Sequence, residues 1–345
     1  MKLVLAAGVV AMLLGIVSGP AFIAFLRRHE FGQNIREEGP AGHQSKQGTP
    51  TMGGLGLLGC ALVAFLIFTE HTGPGLAVAG TALGCAGIGF LDDYLKLRKR
   101  RSLGLSGRWK LLLLALVVAG VGLVAHREHL STDVYIPLIN TYVGLGPAYY
   151  VFIFLVVAGA ANAVNLTDGL DGLAAGTVTI AMLTYAGMMV VAFLAHKGVY
   201  PGHTTSHGVY IGNPRALDLA IIAAALVGGC VGFLWYNAYP ADVFMGDTGA
   251  FGLGGGLAAL AIFTKTEALL VVVGGVFVIE ALSVAIQVIS FRMFGKRVFL
   301  MAPLHHHFEM MEWTENKIIV RFWITAAIFG ASGFVLYYLF FSKYR

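Results

Sequence analysis

The stretch Gly75–Lys96, GLAVAGTALGCAGIGFLDDYLK, carries no charge as far as Leu91 and then sets two aspartates, Asp92 and Asp93, side by side. Its first part predicts a membrane-spanning helix over 75–95. Its end predicts chemistry, because adjacent carboxylates at a membrane boundary are expensive to hold. A divalent cation or a phosphate-handling role would justify them. The plainer reading is a helix-end charge pair with Lys96. Acids at a helix C-terminus oppose the macrodipole, which counts against that reading.

The rest of the chain has the same character. Of 345 residues, 57% are hydrophobic and 12% charged, where a soluble domain carries roughly 25% charged residues. No soluble core of this length hides so much apolar surface. A spanning helix needs about 20 apolar residues, and the apolar runs predict an all-α, polytopic membrane protein of about ten helices. The predicted spans are 3–26, 52–70, 75–95, 110–126, 147–165, 172–195, 215–235, 250–264, 267–291 and 319–341, as one transmembrane domain over 1–345. The first run lacks an A-x-A cleavage pattern and reads as a retained helix. Cys60, Cys85 and Cys230 all fall in apolar runs and read as packing, without disulfide or zinc spacing. Residues 127–146 contain β-branched runs that suit a short hairpin.

Lysine and arginine placement sets the orientation. One set of loops carries Arg27, Arg28, Arg36 and Lys46, then Lys96 to Lys110 with seven basic residues, then Arg292, Lys296, Arg297, Lys317 and Arg321. The opposite loops hold only Arg127, Lys197, Arg215 and Lys265. The first set is therefore expected on the cytoplasmic side, and an even helix count puts both termini on the periplasmic side.

Four further segments carry polar groups on that side. In Asn162-Ala-Val-Asn165-Leu-Thr-Asp168-Gly-Leu-Asp171, polar residues recur every third position; on a helix this makes a stripe facing a water-filled cleft. Interhelical hydrogen bonding suits the asparagines and suits the aspartates poorly. In Asn237-Ala-Tyr-Pro-Ala-Asp242-Val-Phe244-Met-Gly246-Asp247-Thr248-Gly249, Asp247 is expected to cap the next helix, face a cation, or both. Phe244 reads as a stacking platform or as a membrane-interface aromatic. The run His305-His306-His307 suggests phosphate contacts more than a metal site, since consecutive residues rarely share one ion; a solvated loop is the bland alternative. Thr51, in Gln47-Gly-Thr-Pro-Thr51-Met-Gly-Gly54, reads as a helix N-cap whose backbone amides suit an anion. Glu280 is a lone acid inside a predicted span, left outside the site.

No P-loop, dinucleotide fingerprint or nucleic-acid motif is present. An ion-coupled transporter is the reading from another class. Such proteins place polar sites near the bilayer centre, whereas these acids gather at one boundary.

GTPTMGG, FLDDYLK, NAVNLTDGLDGLA, NAYPADVFMGDTG and APLHHHFE occur here in this order, from position 47 to 309. In this the chain resembles the polyprenyl-phosphate N-acetylhexosamine-1-phosphate transferases, and APLHHHFE resembles their phospho-N-acetylmuramoyl-pentapeptide branch. The resemblance implies ten transmembrane helices in the bacterial cytoplasmic (inner) membrane and a cytoplasmic site. It implies Mg2+-dependent transfer from UDP-N-acetylmuramoyl-pentapeptide to undecaprenyl phosphate, giving lipid I and UMP. A sister transferase using another UDP-N-acetylhexosamine is the alternative within the family. Membrane lipid is the surrounding partner, and a homodimer is an option the family leaves open. By position, Asp92, Asp93 and Asp247 would be catalytic acids, with Asp247 the Mg2+ ligand. Asn237, Lys96, Lys110 and His305, His306 and His307 would complete the reacting centre. Lys46, Thr51, Asn165, Asp168, Asp171 and Phe244 would line the uridine side. Asp92 is the candidate general base, and either Asp92 or Asp93 could be a covalent nucleophile in a two-step route.

Overall fold

The computed structural model describes residues 1–29, 48–99, 104–195 and 214–341. Lys46 lies outside the described residues. In chain order the helices are α1 (Lys2–Arg28), α2 (Gly54–Phe68), α3 (Gly73–Arg98), α4 (Gly107–Arg127), α5 (Tyr149–Thr167), α6 (Leu173–Ala195), α7 (Pro214–Asn237), α8 (Gly246–Phe263), α9 (Glu267–Val273), α10 (Gly275–Phe294), α11 (Leu304–Glu309) and α12 (Glu315–Leu336). Between α4 and α5 the expected hairpin forms, with β1 (Asp133–Ile136) antiparallel to β2 (Thr141–Gly144).

Among the described residues, nine helices are long and apolar enough to cross a membrane. The chain is a polytopic, all-α membrane protein. The tenth expected span, α2, is shorter than the predicted 52–70, and both of its ends explain why. Before it, the backbone pairs with another loop: the N–H groups of Gly53 and Gly54 donate to the carbonyls of Phe244 and Met245 at 2.9 and 3.0 Å. After it, the N–H groups of Glu70 and Thr72 donate to the buried Asp218 carboxylate of α7 at 3.0 and 2.8 Å. The 15-residue helix spans about 22 Å at 1.5 Å per residue.

The predicted span 267–291 is also corrected. It breaks at Gly274 into α9 and α10, and α10 runs on to Phe294. Residues of α10 are buried only between Gly275 and Ser283, so the helix then leaves the bundle.

The core is built around α8. Every residue from Thr248 to Phe263 is buried, and six of the first ten are glycine or alanine, which lets neighbouring backbones come close. Two such approaches are equally tight, to α2 at Gly54 and to α3 at Gly89. A Cβ on Gly89 would lie 2.2 Å from the Asp247 carbonyl oxygen, so α3 rests directly on the first turn of α8. At its other end α8 is tied by a buried polar group: Lys265 Nζ lies 2.8 Å from Glu267 Oε1, which also accepts from the Tyr149 hydroxyl of α5 at 2.7 Å.

Gly89→Ala should therefore push α8 off α3. Overpacking of this kind costs about 1–3 kcal/mol. A lowered midpoint for thermal unfolding of the detergent-solubilised protein is expected; an unchanged midpoint would show that the contact relaxes freely.

Candidate active site

The tight contact at Gly89 brings the end of α3 to the start of α8, and with it Asp92 and Asp93 to Asp247. Their carboxylates offer oxygens within 4.8 Å of one another. The three do different things. Asp93 is buried and binds the N-terminus of α8: Oδ1 accepts from the Asp247 N–H at 3.2 Å, and Oδ2 accepts from the Thr248 N–H and hydroxyl at 2.9 and 2.8 Å. These are among the orphan donors of a helix start, satisfied by a side chain from another helix and favoured by the dipole. Asp247 is therefore not the cap of α8; it sits in its first turn. Gly246 opens that helix with φ +72, and a Cβ there would lie 2.7 Å from Asp93 Oδ2 and 2.9 Å from Thr51 Oγ1.

Asp92 faces the opposite way, towards two lysines and a loop. Its Oδ1 accepts from the Leu105 N–H at 2.6 Å and lies 3.0 Å from Lys110 Nζ, while Oδ2 lies 2.6 Å from Lys96 Nζ. Both lysines also reach Asp247 Oδ2, at 3.0 Å from Lys96 and 3.3 Å from Lys110. Lys110 comes from α4, across the basic stretch after α3, and its ammonium lies 5.1 Å from the Phe251 ring centre. Side-chain exposure separates the acids: 15% for Asp247 against 2% for Asp92 and 5% for Asp93. Asp247 is the one open to a ligand. An all-oxygen donor set fits a hard cation such as Mg2+, so the cluster could hold a divalent metal.

The other predicted residues surround this centre. Helix α5 ends at Thr167, so the expected polar stripe leaves the helix after Asn165. Asn165 and Asp168 are half-buried, Asn162 is exposed, and Asp171 is buried in the turn before α6. Burial, reinforced by the carboxylates of Asp247, Asp93 and Asp171, pushes the Asp168 carboxyl up to about 8. Asp171 Oδ2 accepts from the Ala241 N–H at 3.1 Å, and the Asp171 N–H donates to Glu315 of α12 at 3.1 Å. Asn237 is buried with its amide spent on backbone: Oδ1 accepts from the Gly172 N–H at 3.0 Å and Nδ2 donates to the Val243 carbonyl at 2.9 Å. Phe244 is half-buried, its N–H donating to the Pro50 carbonyl at 2.8 Å. Thr51 is not the N-cap of α2, which is Gly53; it is buried beside Gly246 instead.

The histidine run is the short helix α11 rather than a solvated loop. His305 is fully buried, with its ring Nδ1 3.2 Å from Glu280 Oε2. His306 Nδ1 lies 2.5 Å from Glu309 Oε2, and His307 Nδ1 accepts from the Leu300 N–H at 3.1 Å. A Cβ on Gly169 would lie 2.2 Å from His305 Nε2, so this ring rests on the turn that carries Asp168 and Asp171.

Sequence reasoning overlooked Thr248 and the Leu105 N–H, whose roles depend on which helix meets which. Glu280 carried a signal, as an acid inside an apolar span, without indicating its partner.

A family model described as Glycosyl transferase family 4 matches residues 75–265, which include all of the acid cluster. The chain is 48% identical over 343 residues to the phospho-N-acetylmuramoyl-pentapeptide-transferase of Rubrobacter xylanophilus, covering 96% of each. It is 44% identical over 352 residues to the enzyme of the same name from Frankia casuarinae, covering 98% of each, and 45% identical over 339 residues to that of Anoxybacillus flavithermus, covering 96% of this chain and 97% of the relative. The three carboxylates and two lysines thus belong to a transferase, and the chain is a member of the phospho-N-acetylmuramoyl-pentapeptide-transferase family.

Proposed function

We propose that this chain works in the bacterial cytoplasmic membrane, transferring phospho-N-acetylmuramoyl-pentapeptide from its UDP derivative to undecaprenyl phosphate, to give lipid I and UMP. The convergence of Asp92, Asp93, Asp247, Lys96 and Lys110 at one end of the helix bundle supports this reading most strongly. The lysine and arginine bias assigns that end to the cytoplasm, where a nucleotide substrate is found.

In the reaction an oxygen of the lipid phosphate attacks the sugar-bound phosphorus of the diphosphate, and the P–O bond to UMP breaks. One diphosphate linkage replaces another, so the step is nearly isoenergetic and needs no ATP site. The barrier lies in bringing one anion to another. When bound to Asp247, Mg2+ supplies charge neutralisation on the phosphate oxygens. Lys96 and Lys110 add fixed positive charge, and Asp92 aims both ammonium groups while the Leu105 N–H holds its Oδ1 in place. Asp93 holds the first turn of α8 and so aims Asp247. The lipid phosphate has a second pKa of about 6, so at neutral pH it arrives largely dianionic and a protein base is not required. With both oxygens of Asp93 engaged by α8 and those of Asp92 by lysines and a backbone N–H, a single displacement is favoured over a covalent route. Asn237 and Asp171 position the loop 237–245, which presents Phe244. Asn165, Asp168 and Thr51 would serve the nucleotide, and His306 and His307 the phosphates. The whole chain acts as one transmembrane domain.

Asp247→Ala should abolish Mg2+-dependent UMP release from the two natural substrates while leaving the protein membrane-inserted and folded. Retained turnover would refute the metal assignment. Asp93→Asn replaces a two-oxygen acceptor by a group with one acceptor and a donor facing N–H groups. Hydrogen bonds to charged groups are worth about 1.5–3 kcal/mol, so a drop of that size in stability is expected along with lost turnover. Full stability with lost turnover would instead point to direct chemistry at Asp93. Rapid mixing with the UDP substrate alone should release no UMP; stoichiometric release without lipid would sink the single displacement.

A further inference from the structure

Helix α10 is an apolar span that carries one acid, Glu280, in its last fully packed turns. Its side chain is completely buried, as is that of His305 on α11. The two are joined twice. The His305 backbone N–H donates to Glu280 Oε1 at 3.2 Å, and the ring Nδ1 lies 3.2 Å from Oε2. The ring contact is close but out of line for a hydrogen bond, and neither atom has another hydrogen-bond partner among the described residues. Unpaired buried polar groups cost about 1–3 kcal/mol each, and at 3.2 Å this carboxylate oxygen is the polar partner that Nδ1 faces.

One helical face of α10 carries a second tie to the same segment. Gln287, seven residues on from Glu280, accepts from the N–H groups of Val298 and Phe299 at 3.0 Å each and donates to the Phe299 carbonyl at 2.9 Å. The chain from Val298 to His305 is thus strapped along α10. Beyond it, the far side of the His305 ring meets the turn carrying Asp168: Nε2 is buried, has no hydrogen-bond partner among the described residues, and leaves no room for a Cβ on Gly169.

We infer that Glu280 is a positioning residue for the transfer reaction, acting through His305: it pins α11 to α10 and fixes the imidazole with its proton on Nδ1, so that a bare Nε2 faces the Asp168–Asp171 turn. The chemistry follows from the carboxylate being an acceptor only. In the neutral imidazole the nitrogen that faces it carries the ring proton, and the other nitrogen is then an acceptor. A glutamine at 280 keeps the shape and the acceptor for the backbone N–H. Its amide group, however, would face Nδ1 with a donor and select the opposite tautomer.

This inference rests on the transfer reaction proposed above, and its test separates the two. In the full-length protein in lipid nanodiscs, Glu280→Gln should lower kcat about 10- to 100-fold, as loss of an orienting partner does, with little change in KM for either substrate. In a His305→Ala background the same substitution should cause no further loss. Unchanged kcat, or an equal further loss without His305, would overturn the assignment. A second readout needs neither turnover nor the variant at 280. In 15N-histidine-labelled wild-type protein, the imidazole signal that disappears in His305→Ala should show a protonated Nδ1 and a bare Nε2. A protonated Nε2 would overturn the inference even if Glu280→Gln proved unstable. Absence of turnover in the wild type would count against the transfer reaction alone and leave the tautomer result standing.

Discussion

The bond between the Asp93 carboxylate and the first N–H groups of α8 holds the rest of the site in place. A helix start in a membrane protein has donors that neither lipid nor the helix itself can satisfy. Here the acceptor comes from the end of α3, and it can reach only because Gly89 lets the two backbones touch. One interaction therefore satisfies two of the donors at the start of the buried helix α8 and delivers the acids of α3 to Asp247. The opposite end of α8 is fixed by the buried Lys265–Glu267–Tyr149 group. A helix clamped at both ends is a rigid base for a group that must stay aimed at a reacting phosphate.

The second constraint is electrostatic. Three carboxylates within ligand distance of one another repel, and two ammonium groups placed among them leave a net charge of −1 when all five are ionised. The lysines bridge Asp92 and Asp247, while Asp93 relies mainly on helix donors, with Lys96 at 3.9 Å. That division assigns separate work to two adjacent residues that look equivalent in Asp92-Asp93. Asp92 orients cations, Asp93 orients a helix, and the more exposed Asp247 is left for the ligand.

Much of this was legible from the chain. Apolar runs located the spans, and the charges at 92, 93, 96 and 247 marked the active end, because charge inside such runs is too costly to be idle. What was not legible depended on which surfaces meet. The equivalence of Asp92 and Asp93 could not be broken without knowing that α8 begins beside one of them. Asn237 looked like a member of the reacting centre, yet both ends of its amide bind backbone. The early start of the polar turn after Asn165 was hidden by a spacing of three that also suits a helix. The length of α2 was misjudged because hydropathy does not register the backbone pairing and the Asp218 carboxylate that end it.

The break at Gly274 shows how such local events carry function. An unbroken helix over 267–291 would be an ordinary span, and an acid in it would call for a partner on a neighbouring span. Splitting the segment gives α10 its own direction: it packs from Gly275 to Ser283 and is then unburied. Glu280 lies in the packed part and Gln287 beyond it on the same face, so a chain returning along α10 meets first one strap and then the other. The returning segment is the one that carries the histidines, and its last tie holds His305 against the Asp168 turn. A residue in the apolar interior is in this way connected to the polar face through one buried side chain, with no polar residue needed on the lipid side of the helix.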